Sequence, residues 1–273
     1  MRVSKVLVAV VVLVAGLGAC GKHGAKNVYS CPNKGSGVGF TTVKKGKLTV
    51  QTALPAAHFW NGSNDDSLTG GYEFELARDL CAQLGIGRVR IVDQSRAAIA
   101  NGQTHDFDIA IAQLSTATSS PGTYSTGYLD ADQGIVVNAG TNVPTLAAAQ
   151  KLTWGYEAGT TSGTFLAQHV KPTAASKPFA SVSGLLAALK AKQVTAALLP
   201  TPVALASVGA GRQVAGQFAS HEQFGVYLPK GSANTKLVNA AIGKLRSDGA
   251  LDSLASKWLT GPAPSTVPFI TAR

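Results

Sequence analysis

Between residues 48 and 112 the hydrophobic pattern switches repeatedly between the two-residue period of a strand and the 3.6-residue period of a helix. Residues 48–52 alternate as a strand. Residues 73–84 place Phe74, Ala77, Leu80, Cys81 and Leu84 on one helical stripe, which Gly85 stops. Residues 89–92 read as a second strand, 95–101 as a short helix, and 107–112 as a third strand apolar enough to be covered on both faces. The order β-α-β-α-β predicts an α/β fold, because parallel strands need crossover connections and the crossing helices then cover the sheet. A second series reads the same way, with a strand over 152–156, helices over 161–169 and 183–192, a strand over 194–199 and a helix over 202–208. A strand over 224–228 and helices over 234–247 and 251–259 return the chain to the first series. Pro262, Pro264 and Pro268 make 261–273 an extended surface segment. Two open parallel sheets facing one another enclose a cleft, and ligands of such sheets sit outside the carboxyl ends of the strands.

The N-terminus has a different grammar. Arg2 and Lys5 precede an apolar run over residues 6–20 that is too short to span a bilayer as a helix and has the length of an export-signal core. It ends in Leu17-Gly18-Ala19-Cys20, which resembles a bacterial lipobox. That resemblance implies a signal peptide over 1–19, lipidation of Cys20 and a protein held on the outer face of a bacterial cell membrane. The formal charge of +10 points at first to nucleic acid, but residues 1–50 hold eight of the 24 basic residues and none of the 14 acidic ones. The body is therefore nearly neutral, which excludes nucleic acid as the expected partner. The basic stretch suits an anionic lipid surface. Residues 20–43, rich in Gly, Lys and Ser, read as a flexible tether. Once Cys20 is set aside, Cys31 and Cys81 form an even pair, open to two readings, a disulfide or two buried thiols. The spacing of Cys and His matches no metal site, and neither a metal nor a cofactor is expected.

From Lys45 to Leu259 the chain resembles the polar-amino-acid family of extracellular solute-binding proteins, the receptors of ABC importers. The motifs that carry the resemblance occur in the family's order. Lys45-Gly46-Lys47-Leu48-Thr49-Val50 opens the first strand, and Gly70-Gly71-Tyr72-Glu73-Phe74-Glu75-Leu76-Ala77 leads into the first helix. Asp106-Phe107-Asp108-Ile109-Ala110-Ile111 forms a strand, Gly155-Tyr156-Glu157-Ala158-Gly159-Thr160-Thr161 a glycine-and-threonine turn, and Gly225-Val226-Tyr227-Leu228-Pro229-Lys230-Gly231 the returning strand. Asp248-Gly249 and Lys257-Trp258-Leu259 close the series. The resemblance implies a two-lobed, periplasmic-binding-protein-like fold of type II, with lobe 1 over 44–137 and 222–273 and lobe 2 over 138–221. It further implies a monomer that is not an enzyme and that passes a small solute to a membrane permease.

The site residues are carried over with departures. The family's carboxylate-binding arginine falls on Ser120, its ammonium-binding aspartate on Pro200, and its first-loop acidic and aromatic contacts on Ala53 and Ala56. A carboxylate or ammonium shut in a cleft without its counter-charge costs several kcal/mol, so the usual zwitterion clamp is in doubt. Hydroxyl and amide chemistry from Gln113, Ser115, Ser120, Thr160, Thr161 and Ser162 beside Trp60 remains, and it suits an uncharged or weakly charged polar solute. Thr160 or Thr161 is expected to cap the next helix and to turn its free N–H groups toward the solute. The alternatives are a sensor or scaffold lipoprotein on the same fold, and a dehydratase-like enzyme using His58, His221 or Glu222. No nucleophile elbow or spaced carboxylate pair supports the enzyme.

Overall fold

The computed structural model describes residues 27–32, 37, 39–209, 211–259 and 267–270; the signal segment 1–19 and Cys20 lie outside them. The chain builds two sheets. The first lobe runs β1 (Val28–Ser30), β2 (Leu48–Thr52), α1 (Tyr72–Gln83), β3 (Arg88–Asp93), α2 (Arg96–Ala100), β4 (Ile109–Ala110) and β5 (Thr123–Asp130). The second runs β6 (Gln133–Asn138), α3 (Leu146–Gln150), β7 (Trp154–Glu157), α4 (Ser162–Phe165), β8 (Lys177–Phe179), α5 (Val182–Lys190), β9 (Ala196–Pro200), α6 (Thr201–Ala206) and β10 (Arg212–Phe218). The chain then returns to lobe 1 through β11 (Gln223–Leu228), α7 (Thr235–Ser247) and α8 (Ala250–Trp258). Strand order is β1-β3-β2-β4-β11-β5 in lobe 1 and β10-β6-β9-β7-β8 in lobe 2.

The parallel core of lobe 1 follows directly from the sequence pattern. Every residue of β2 is buried, as a central strand covered on both faces requires, and it pairs in parallel with β3 and β4. Helix α1 covers this sheet with Leu76, Ala77, Leu80 and Cys81, all inaccessible to solvent. It ends where Gly85 turns left-handed (φ 72°), with the N–H groups of Gly85 and Ile86 bonded back to the carbonyls of Ala82 and Cys81. That pattern satisfies the last open carbonyls of the helix. In lobe 2, Ile135, Val137, Trp154, Ala196 and Leu198 form a second fully buried cluster.

The structure corrects four expectations. The sheets are mixed rather than parallel, because β5 pairs antiparallel with β11, and β6 lies antiparallel to both β9 and β10. The change of lobe falls near Asp132, so β6, expected to close lobe 1, is the first strand of lobe 2. The end of the chain also crosses over. The sequence reading puts 222–273 in lobe 1, yet Phe269 pairs with Gln217 at the outer edge of β10, and the Ile270 side chain packs over Gly216, where an added Cβ would meet it at 2.7 Å. Finally, the stretch read as tether is partly folded onto lobe 1: β1 pairs antiparallel with β3, and Cys31 is disulfide-bonded to Cys81 of α1, with Cα atoms 6.0 Å apart.

Candidate functional site

A cavity of about 690 Å³ lies between the lobes. Its walls come largely from the ends of the parallel strands and the segments that follow them: residues 53–57 and Phe59 after β2, 93–96 at the end of β3, Gln113 after β4, Glu157 at the end of β7, 180–183 after β8 and residues of α6 after β9. This is where an open α/β sheet offers its backbone and loop side chains to a ligand.

Local structure places one charged group of each lobe at the centre. Ser95 caps α2 by accepting the Ala98 N–H at 3.2 Å, and Arg96 is therefore the first helical residue, at the carboxyl end of β3. Glu157 is the last residue of β7, directly before the turn at Gly159 (φ 83°). The Arg96 and Glu157 side chains form an ion pair across the cleft, and both are buried. The Arg96 guanidinium also donates to the Gln113 amide oxygen and, through Nε, to the Ala112 carbonyl at 2.8 Å. Burial lowers the pKa of Arg96 to about 10, while the nearby Glu73 charge pushes it back up. The lobes also touch beside this pair, since a Cβ on Gly159 would come within 2.9 Å of the Ala97 Cα.

Behind the pair lies a second buried carboxylate. Glu73, in the first turn of α1, accepts hydrogen bonds from Trp60 Nε1 at 2.6 Å, from the Gln113 N–H at 2.9 Å, from the Gln113 side-chain amide and from the Tyr128 hydroxyl. Burial raises its pKa above the usual carboxylate range, and these donors pull it partly back. Gln113, which takes a left-handed conformation (φ 49°) that a side chain rarely adopts, is held from both sides by this network.

Of the residues expected to touch solute, only Gln113 lines the cavity. Trp60 is wholly buried in the lobe 1 core, edge-on to Phe74, with its one donor bound to Glu73. The Ser115 hydroxyl accepts the Ala117 N–H at 3.1 Å, and Ser120 donates to the Ala100 carbonyl at 2.7 Å. The hydroxyls of the threonine turn are bonded within the protein, two of them to residues at the crossings between lobes. Thr161 donates to Glu222 at 2.5 Å, Ser162 donates to Gln133 at 2.7 Å, and Thr160 donates to the carbonyl of Glu157 at 2.7 Å. Among the described residues no side chain caps α4, against the expectation from its threonines, and the helix runs on without a break into a π-helical turn over Leu166–Val170. Gln133 and Glu222 lie at the two crossings between lobes, which Asp132 ties together by accepting the N–H groups of Ser220 and His221.

Sequence reasoning missed Arg96, Glu157, Glu73 and Arg212, the last of which lines the cavity from lobe 2. A signal existed for two of them: Arg96 and Glu157 are charged residues placed where strands end and ligands gather. Glu73 was visible only as an acid beside the apolar stripe of α1.

Residues 48–261 match the family model of bacterial extracellular solute-binding proteins, family 3. The chain belongs to that family. Membership of family 3 puts its work outside the cytoplasm. The glutamine-binding protein GlnH of an ABC transporter of Bacillus subtilis (strain 168) is 26% identical over 142 residues, which is 50% of this chain and 51% of the relative, so the chain spans about half the length of the curated relative it matches. An amino acid ABC transporter substrate-binding protein from Streptococcus pneumoniae, solved with L-arginine, superposes with a TM-score of 0.69 at 24% identity, over 79% of this chain and 95% of that one. An ancestral amino acid-binding protein described as a precursor of cyclohexadienyl dehydratase gives 0.68 at 23% identity, over 79% and 96%. These two likenesses establish the two-lobed fold.

Proposed function

We propose that this family 3 protein is a lipid-anchored receptor that captures a small solute between its lobes and delivers it to an ABC importer. The observation that carries this reading is the cavity, which is lined by both lobes at the carboxyl ends of their parallel strands. Closure of two lobes on a solute is the motion such an architecture permits. The positions on which the family's zwitterion clamp falls do not supply it: Ser120 and Pro200 do not line the cavity, and Arg96, which does, is occupied by three acceptors of the protein itself. The solute is therefore recognised by other contacts. Lipidation of Cys20 follows from the lipobox, and the basic residues behind it favour an anionic leaflet.

Binding without turnover is the chemistry these residues support. Glu73 and Tyr128, whose pKa values burial raises, do not line the cavity and are bonded to one another. The test is a thermal-shift panel of amino acids, sugars, polyols, nucleosides, small peptides and organic acids on the full chain in mild detergent. A solute at about 100 times its Kd stabilises by about 2.7 kcal/mol, which raises the melting point by about 5–10 °C. A chain that responds to no solute would contradict the reading. Replacing Cys20 by Ser should release the protein from the membrane fraction, and retention would contradict the anchor.

A further inference from the structure

Both lobes offer apolar side chains to the cavity. Leu54, Pro55 and Ala56 line it from lobe 1, and Leu186, Val203 and Val208 line it from lobe 2. Val208 is 44% exposed, one of three large apolar residues among those described that stand so far into solvent. The volume falls within the range of about 300–1,000 Å³ that encloses drug-sized molecules.

The charges in the lining are unequally provided for. Arg96 and Glu157 neutralise each other. Arg212, at the start of β10, lines the same cavity and is half-buried, yet among the described residues no carboxylate lies within ion-pair distance of it. Its Nε is shut away from solvent and has no acceptor among the described residues. A buried donor left open in this way costs free energy that an incoming acceptor recovers. The remaining acid, Asp93, is exposed and already accepts the Leu54 N–H at 2.9 Å, so it is a weak partner for an ammonium group.

We propose that the cleft selects an organic acid with an apolar body, its carboxylate taken by Arg212 and its body packed between the aliphatic walls of the two lobes. Arginine suits this role because its fork of N–H donors matches a carboxylate. The inference rests on the reading of the protein as a solute receptor and names the class of solute.

Calorimetric titration of the full chain in mild detergent with 4-phenylbutanoate, its amide, glutamine and glutamate tests it. The acid should bind about tenfold or more tightly than the amide, and more tightly than either amino acid. In Arg212→Gln the advantage of the acid over the amide should disappear, and in Arg212→Lys, which keeps the charge, part of it should return. Equal binding of acid and amide by the unaltered protein, or tighter binding of glutamine or glutamate, would overturn the inference while leaving the receptor reading intact. If neither these four compounds nor any member of the wider solute panel binds, both fall together.

Discussion

Each lobe brings one arginine to the cleft, and the two sit in opposite surroundings. Arg96 of lobe 1 is buried, with a carboxylate, an amide oxygen and a backbone carbonyl around its guanidinium. Arg212 of lobe 2 is half-buried, without a counter-charge among the described residues and with one donor unmet. A desolvated cation is costly inside a protein unless acceptors replace its water, so the acceptors around Arg96 belong to its structural role. An arginine that lacks them is available to a ligand. The same residue type in the same cavity is structural on one wall and free to recognise on the other.

Substitutions break this comparison in order of size. Arg96→Ala leaves Glu157 buried without its partner and should lower stability by about 3–5 kcal/mol in chemical denaturation, whereas the paired replacement Arg96→Met with Glu157→Leu should recover most of the loss. A small effect of Arg96→Ala would mean that the pair is solvated and the contrast with Arg212 unfounded. Glu73→Gln presents an amide to donors that now meet a carboxylate, and should cost about 1–3 kcal/mol. It should also change the pH dependence. Burial holds the folded-state pKa of Glu73 above its unfolded value, so its contribution is complete below the usual carboxylate range and is lost as pH rises through the folded value. Melting curves between about pH 4 and 7 should therefore fall less steeply in the Gln variant than in the unaltered protein.

Smaller effects sharpen the same contrast. Gly159→Ala must take a left-handed conformation and press on Ala97 across the cleft, which should cost about 1–2 kcal/mol and leave the solute-free protein with a larger radius of gyration in X-ray scattering. An unchanged radius would show that the lobes do not rest on one another there. Arg212→Gln should lower stability by no more than about 0.5 kcal/mol, because no ion pair among the described residues depends on it and the substitution removes a buried donor that is unmet. A loss as large as that of Arg96→Ala would give both arginines the same structural role.

The parallel strands other than β8 were legible in the sequence, β2 from its alternation and β9 from the continuous apolar run that burial on both faces leaves. Strand β5 was not, since Thr123 to Asp130 is rich in Ser, Thr and Gly and its buried positions are interrupted by bulges. Strand β1 escaped notice because three residues held by an edge pairing and a disulfide carry almost no pattern of their own. In the cleft, types of residue were readable and directions were not. Thr161 and Ser162 sit in the turn that the family resemblance singles out, but their hydroxyls bond to Glu222 and Gln133, residues distant in sequence that the fold brings to the hinge. Trp60 stands in the sequence as an aromatic near the first loop, and only the position of Glu73 behind it shows why it turns inward.

The attachment of the N-terminal segment to lobe 1 would set a length scale for the proposed lipid anchor. If the chain were loose from Cys20 to Lys44, a lipid on Cys20 would let the body range about 80 Å from the bilayer. With β1 paired to β3 and Cys31 bonded to Cys81, a lipid on Cys20 would hold the start of β1 within about 25 Å even if the residues between them were fully stretched. A folded domain on so short a leash would patrol a thin shell above the headgroups, where its local concentration at a membrane-embedded partner would be high and its choice of orientations few.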